Sequence, residues 1–338
     1  MNVLLTCAGR RNYLVQYFRE ALELGEKVVA TNTVADTPAM QAADVAIKVP
    51  ASHDPSYIPT LLNICREQKI KLMLSLHDLD TTFLSLHLQK FIDIGVIPVI
   101  SEPEFINICF DKFLMISFLK AHGLPYCPTY ISHDDTISAL ESGQLKFPLI
   151  LKPRSGFGSI GLFIARDQQD VSDCYRLLRK TIVNTPIVNS PNFNMESCIM
   201  FQQFIEGEEY GVDVINDLNG KFISAIIEKK LSMRSGETDS AIIVDDTSLS
   251  ELGQIIGLNS RHMGLLDIDV IMKNATPYII EMNPRFGGHY PFAHIAGANV
   301  PAAIIAWAKG CEPNPLWLKA EVGIKGFKEL VPTRVLRK

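Results

Sequence analysis

Two stretches late in the chain, LLDIDVIM (265–272) and YIIEMN (278–283), alternate apolar residues with Asp267, Asp269, Glu281 and Asn283. Side chains two apart on a strand share a face, so each stretch gathers its polar groups on one side of a sheet. The intervening KNATP (273–277) has turn composition. A hairpin closing symmetrically about Ala275 sets Asp269 opposite Glu281 and Asp267 opposite Asn283. Opposed residues stand about 4.5–5.5 Å apart at Cβ, where like charges destabilise. A hard divalent cation held by carboxylate and amide oxygens would neutralise such a pair, and magnesium typically adds waters and nucleotide phosphates. The alternative is a solvated polar face with an accidental acidic pair. Arg285 continues the alternation in PYIIEMNPRFGGHY (277–290), and glycines follow at once.

Upstream, strand patterns at 2–6, 27–31, 45–49, 70–76 and 96–100 alternate with helical ones at 11–24 and 54–67. Such alternation predicts a doubly wound, mostly parallel α/β sheet. The turn after the first strand, TCAGRRN, has one glycine, so a dinucleotide fingerprint is disfavoured. His77, Asp78 and Asp80 follow the strand KLMLSL, where open sheets place ligand groups, though a polar loop explains them as well. Beyond the helix 111–123 the pattern becomes α+β, with an Asn/Pro-rich joint, NTPIVNSPNFN (184–194).

Two further stretches carry chemistry. PLILKPRSGFGSIGLF (148–163) ends an apolar strand in Lys152-Pro153 and continues with Ser155, Gly156, Gly158, Ser159 and Gly161. Glycines let backbone amides approach a polyphosphate, and small hydroxyls add donors. The lysine precedes the glycines, so this is not the Walker arrangement. In IMFQQFIEGEEYGVDV (199–214), Gln202 and Gln203 sit on a strand, Gly207 turns it, and Glu209 returns on the next. That pattern suits an adenine bound along extended backbone with a carboxylate for the ribose, and equally a surface hairpin.

The net charge of −5, from 32 basic and 37 acidic residues without a basic block, gives no nucleic-acid or anionic-membrane footprint. The start, MNVLLTCAGRRNYLV, reads as a strand and not a signal peptide, and no window approaches 18 uninterrupted apolar residues. Seven scattered cysteines, never spaced CxxC, fit reduced thiols in a cytoplasmic protein. His289 and His294, five apart, lack the one-turn spacing of a helical zinc pair.

Taken together and in this order, the motifs resemble the ATP-grasp superfamily, over residues 1–310 and most strongly over 103–300. Within it the chain is similar to the carbamoyl-phosphate synthase large subunit and to pyrrolysine-biosynthesis ligase-like enzymes. The resemblance implies a Rossmann-like pre-ATP-grasp α/β domain (1–102), a lid subdomain with linking helices (103–197) and a C-terminal subdomain with the metal site (198–338). It implies that Lys112 and Lys152 hold the nucleotide, that the loop carrying Ser155, Gly156, Gly158 and Ser159 covers the phosphates, that Gln202, Gln203, Phe204 and Ile205 line the adenine, and that Glu209 takes the ribose. Asp269, Glu281 and Asn283 match magnesium ligands (manganese serving as an alternative), and Arg285, with Lys152, matches the groups at the transferred phosphoryl. Asp269 stands where other members have glutamine or glutamate, and Arg234 where some have histidine. Arg234, Asp78 and His289 are the candidates for the acceptor substrate. The implied activity is an ATP-dependent carboxylate–amine, or carboxylate–thiol, ligase acting through an acylphosphate on small molecules, with a homodimer left open. A hydroxyl kinase and a non-catalytic ATP-binding module are the alternatives.

Overall fold

The computed structural model describes residues 1–158 and 160–335; Ser159, expected in the phosphate loop, lies outside the described residues. The first 98 residues supply β1 (Asn2–Thr6), β2 (Val28–Asn32), β3 (Val45–Lys48), β4 (Ile70–Ser75) and β5 (Ile97–Pro98), ordered β3-β2-β1-β4-β5. All pairs are parallel, with β1 central and Leu4 and Leu5 wholly buried on opposite faces. Burial on both faces is why these strands read as continuous apolar runs.

The segment after β4 departs from the loop reading. Asp78–Ser85 is a helix, capped by His77, whose Nδ1 accepts from the Leu79 amide at 3.2 Å. Asp80 is wholly buried and accepts from the Tyr57 hydroxyl at 2.6 Å and the Ser75 hydroxyl at 2.7 Å. That fixes Asp80 as a fold residue tying β4 to the helix Tyr57–Glu67.

Two antiparallel sheets follow. Strands β6 (Thr129–Tyr130), β7 (Leu149–Pro153), β8 (Phe163–Ala165) and β9 (Ile199–Gln203) form a small sheet, β6-β9-β7-β8, with its own core. Strands β10 (Glu208–Asn216), β11 (Phe222–Arg234), β12 (Glu237–Val244), β13 (Gly264–Lys273), β14 (Thr276–Asn283) and β15 (Lys325–Phe327) form a larger one, β14-β13-β10-β11-β12-β15. Its apolar face, including Val212, Val214, Ile227, Ile268 and Ile279, packs with Leu249, Leu252 and Ile256 of the helix Thr247–Ser260.

The sequence at 199–214 is therefore no hairpin. β9 pairs with β7 and β6 while β10 pairs with β11 and β13, so Phe204–Gly207 carries the chain from one sheet to the other. The expected boundary at 197/198 falls one strand early, because β9 is hydrogen-bonded into the small sheet. The helices Pro103–Phe110 and Lys112–Ala121 put Phe105, Cys109, Met115, Ile116 and Leu119 into the core of the large sheet, not the lid.

Candidate active site

The other face of the large sheet packs Ile215, Ile226, Ala241, Ile243 and Leu265 into the core shared with the N-terminal domain and carries its polar groups beside them. Register alone sets its polar map: Asn283 pairs with Asp267 and Glu281 with Asp269 across β14 and β13. Asp267 then pairs with Asp213 and Asp269 with Gly211 on β10, and Gly211 pairs with Glu228 on β11. Residues two apart share a face, so five acids, one amide and a glycine occupy adjoining places.

The expected pairing at the acids is found, by a different route. The hairpin closes at Lys273–Thr276 through Asn274 and Ala275, both left-handed at φ 49° and 60°, which is a two-residue turn of the type that suits strand twist. A bulge at Ile280 between the Asp269 and Val270 pairs then shifts register by one residue. Turn and bulge together deliver Asp269 against Glu281.

Each acid of that pair is faced by a lysine. Lys112 Nζ lies 3.0 Å from Glu281 Oε1, and Lys230 on β11, its side chain 5% exposed, pairs with Asp269. The repulsion read from the sequence is thus relieved by protein cations, and the acidic pair alone does not demand a metal. Burial works against the charge on Asp269, but Lys230 and then His289 outweigh it and hold the carboxyl below its usual range.

Lys112 also donates to the Gly156 carbonyl at 2.8 Å, so one ammonium joins the glycine-rich loop to the carboxylate strand. Arg154 anchors the loop's start by a fork onto Asp111, Nε to Oδ1 at 2.8 Å and Nη2 to Oδ2 at 2.7 Å. Phe157, further along the loop, packs edge-on against His77 with ring centres 4.4 Å apart. Lys152 on β7 is buried; that burial, with Lys112 nearby, lowers its amine to about 8 despite Glu281.

At the crossing between sheets the two glutamine side chains are spoken for. Gln202 donates to Thr129 Oγ1 at 2.9 Å, and Gln203 makes a two-way bond with the Lys146 backbone at 3.0 and 2.9 Å. The Phe204 amide donates to the Pro148 carbonyl at 3.1 Å. Both amide side chains are thus engaged within the protein, and Ile205 is buried. Glu209 is exposed on the same face of β10 as Gly211.

Arg285 follows the end of β14 with Nη1 2.6 Å from Asp267 Oδ2 and Nη2 2.8 Å from Asp78 Oδ2. Its Nε is buried without a partner. Burial pushes Asp78 toward the neutral acid, but the Arg285 charge overrides it and lowers the carboxyl. Asp78, a candidate substrate residue, is thereby a partner of Arg285.

His289 does not line an open acceptor pocket. It is 1% exposed, with Nδ1 3.1 Å from Asp267 Oδ1 and Nε2 3.0 Å from Asp213 Oδ1. Its ring fills the space over Gly211, where a Cβ would stand 2.6 Å from the imidazole. Arg234 pairs with Asp239 beside the turn at Ser235–Gly236 that closes the β11–β12 hairpin. Arg11 donates to the Phe286 carbonyl and Arg10 is exposed. Sequence reasoning missed Asp213, Glu228 and Lys230. Each is a charge in an apolar strand, and only the strand order places them beside Asp269.

Residues 109–289, more than half of the chain, match the family described as "ATP-grasp domain", and residues 3–100 match "PylC-like, N-terminal domain". The chain belongs to the ATP-grasp family. The ATP-grasp architecture recurs in solved structures of low identity. A biotin carboxylase from Campylobacter jejuni in complex with beta-gamma-ATP is 17% identical with a TM-score of 0.73, covering 94% of this chain and 73% of its own. The biotin carboxylase domain of 2-oxoglutarate carboxylase from Hydrogenobacter thermophilus, a dimer with MgADP and bicarbonate, is 17% identical with a TM-score of 0.70, covering 92% and 70%. An L-amino acid ligase from Bacillus licheniformis is 21% identical with a TM-score of 0.64, covering 90% and 73%. No helix among the described residues is long and apolar enough to cross a membrane.

Proposed function

We infer that this ATP-grasp protein is an ATP-dependent carboxylate–amine or carboxylate–thiol ligase that works through an acylphosphate. One observation carries the reading: the phosphate loop, its two lysines, the Asp269–Glu281 pair, Asn283 and Arg285 all converge on one sheet face, with Lys112 bonded to both loop and acid.

Asp269, Glu281 and Asn283 offer oxygen donors alone, the chemistry that suits magnesium and, second, manganese. When bound, such an ion draws charge off phosphate oxygens. Lys112 and Lys152 bring positive charge to the phosphates, and the loop containing Ser155, Gly156 and Gly158 closes over them and excludes water from a hydrolysable intermediate. Gln202 to Ile205 border the adenine and Glu209 takes a ribose hydroxyl. Arg285, held by Asp78 and Asp267, presents a fixed guanidinium to the phosphoryl group as a carboxylate oxygen attacks it. The incoming amine or thiol then displaces phosphate. Both substrates are small molecules, the setting is cytoplasmic, and a homodimer fits the assembly seen in one relative.

The test is isotopic. With carboxylate labelled by oxygen-18, ATP and magnesium, one label passes to inorganic phosphate, and added hydroxylamine traps a hydroxamate when the amine is withheld. Unlabelled phosphate from a productive substrate overturns the ligase reading; a stable phosphoester would establish the kinase instead.

A further inference from the structure

Behind the Asp269–Glu281 pair lies a second group of ligand atoms that the proposed ligase chemistry does not use. Asp213 Oδ1 and His289 Nε2 are 3.0 Å apart, Glu228 Oε2 and His289 Nε2 are 4.0 Å apart, and one ligand atom of each residue lies within 4.8 Å of the other two. Asp213 and Glu228 are 0% exposed and His289 is 1% exposed.

All four carboxylate oxygens of Asp213 and Glu228 lack a hydrogen-bond partner, and so does Nε2. The 3.0 Å contact between Asp213 and His289 is thus a close approach without hydrogen-bond alignment. Groups that bond each other point at each other; groups that share an ion point at a common centre. Ligands about 2.1 Å from one ion stand roughly 3.0–3.4 Å apart in octahedral or tetrahedral geometry. The other ring nitrogen, Nδ1, is 3.1 Å from Asp267 Oδ1, an oxygen that likewise has no hydrogen-bond partner, so the imidazole stands between carboxylates on both sides.

We propose that Asp213, Glu228 and Nε2 of His289 form a second, buried cation site for one first-row divalent ion of the manganese or zinc type. A mixed nitrogen and oxygen donor set selects such ions over magnesium. Asp267 links this site to Arg285, since its other oxygen accepts from Nη1. With every ligand buried, the ion is taken up as the chain folds. The rival occupant is a proton shared between the two carboxyls, because burial and Asp213 push Glu228 well above the usual range.

The experiment uses the full chain produced in manganese-supplemented medium, dialysed extensively and measured without nucleotide. About one tightly held manganese per chain is expected, with modulation from a directly bound nitrogen in pulsed electron paramagnetic resonance. Asp269, Glu281 and Asn283 offer oxygens alone, and a nitrogen signal from the neighbouring Asp267, Asp269 and His289 is told apart by Asp269→Asn, which should leave the signal intact. Glu228→Gln, nearly isosteric, should lose the ion, and Glu281→Gln should keep it. A parent chain with no nitrogen-coupled manganese overturns the proposal and leaves the shared proton as occupant. An ion kept by Glu228→Gln, or lost only in Asp269→Asn, overturns it as well. The parent measurement decides the matter even where a variant does not fold, and none of these results depends on the ligase reading.

Discussion

Arg285 Nη2 and Asp78 Oδ2 lie 2.8 Å apart, joining the residue just past β14 to the first residue of a helix in the N-terminal domain. Both side chains are no more than 10% exposed. Removing one partner of a buried pair strands the other charge, at a cost of about 3–5 kcal/mol. Asp78→Ala should therefore lower the urea midpoint markedly. A midpoint equal to the parent's would show that the clamp contributes nothing.

Arg285→Lys keeps a charge but loses the fork. A single ammonium cannot span Asp267 and Asp78 and also keep a face toward a phosphoryl group. Turnover should drop at least tenfold while ATP still raises the melting temperature, since the proposed cations for the nucleotide are Lys112 and Lys152. Calorimetric loss of ATP binding in this variant would move Arg285 from the reacting phosphoryl group to the nucleotide itself.

Lys152 has its amine lowered to about 8. The folded value lies below the unfolded one, so below about pH 8 both states are protonated and the cost of burying the charge is fully present. Between about 8 and 10.5 the unfolded chain holds the extra proton, and stability rises with pH by up to about 1.4 kcal/mol per unit. Lys152→Met should be more stable than the parent at pH 7, with the gap closing by pH 10. ATP affinity should fall in the parent as pH climbs past 8, and be weak and flat in the variant. A parallel pH dependence in both proteins would exclude Lys152 as the group responsible.

Glu281→Gln should abolish turnover, since it removes a charge from the expected magnesium ligands. From the sequence, relief of repulsion with Asp269 would also raise stability. The structure changes that expectation, because Lys112 sits 3.0 Å from the carboxylate and loses its partner in the variant. Thermal melting without ligand should be unchanged or slightly lower. Magnesium with nucleotide should stabilise the parent and not the variant; equal stabilisation would remove Glu281 from the ligand set.

Gly211→Ala should destabilise by about 1–3 kcal/mol, as overpacking does, because the new methyl meets the His289 ring at 2.6 Å. In a His289→Ala background the same change should be nearly free. A double-mutant cycle reads that coupling directly, and additive costs would mean that the ring does not enforce the glycine.

The acidic pair was legible because period-two alternation needs only neighbouring residues to be known. The turn was misplaced by one residue, and the bulge at Ile280 that corrects it has no local signature in YIIEMN. Glu228 and Lys230 lie on β11, whose place beside β10 follows from a hairpin, but Asp269 reaches them only because β13 inserts on the other side of β10. Strand order is a long-range property, and so is the site it assembles. The helix at 78–85 went unread for a related reason. DLDTTFLS is polar at its start, and its Asp80 is buried against partners 23 and 74 positions earlier.

The small sheet joins the rest of the protein through two chain segments that run side by side. The Gln203 amide donates to the Pro128 carbonyl, and Thr129 pairs with Gln202. None of the apolar core residues of the small sheet belongs to the other three core clusters, and none of theirs falls between 128 and 203. Residues 128–203 are thus a detachable loop in the topological sense, leaving and returning at one doorway. A short linker from Cys127 to Ile205 would excise the unit yet leave every strand pair of the other two sheets in place, giving a chain that keeps its carboxylates but loses Lys152 and the loop that Lys112 bonds.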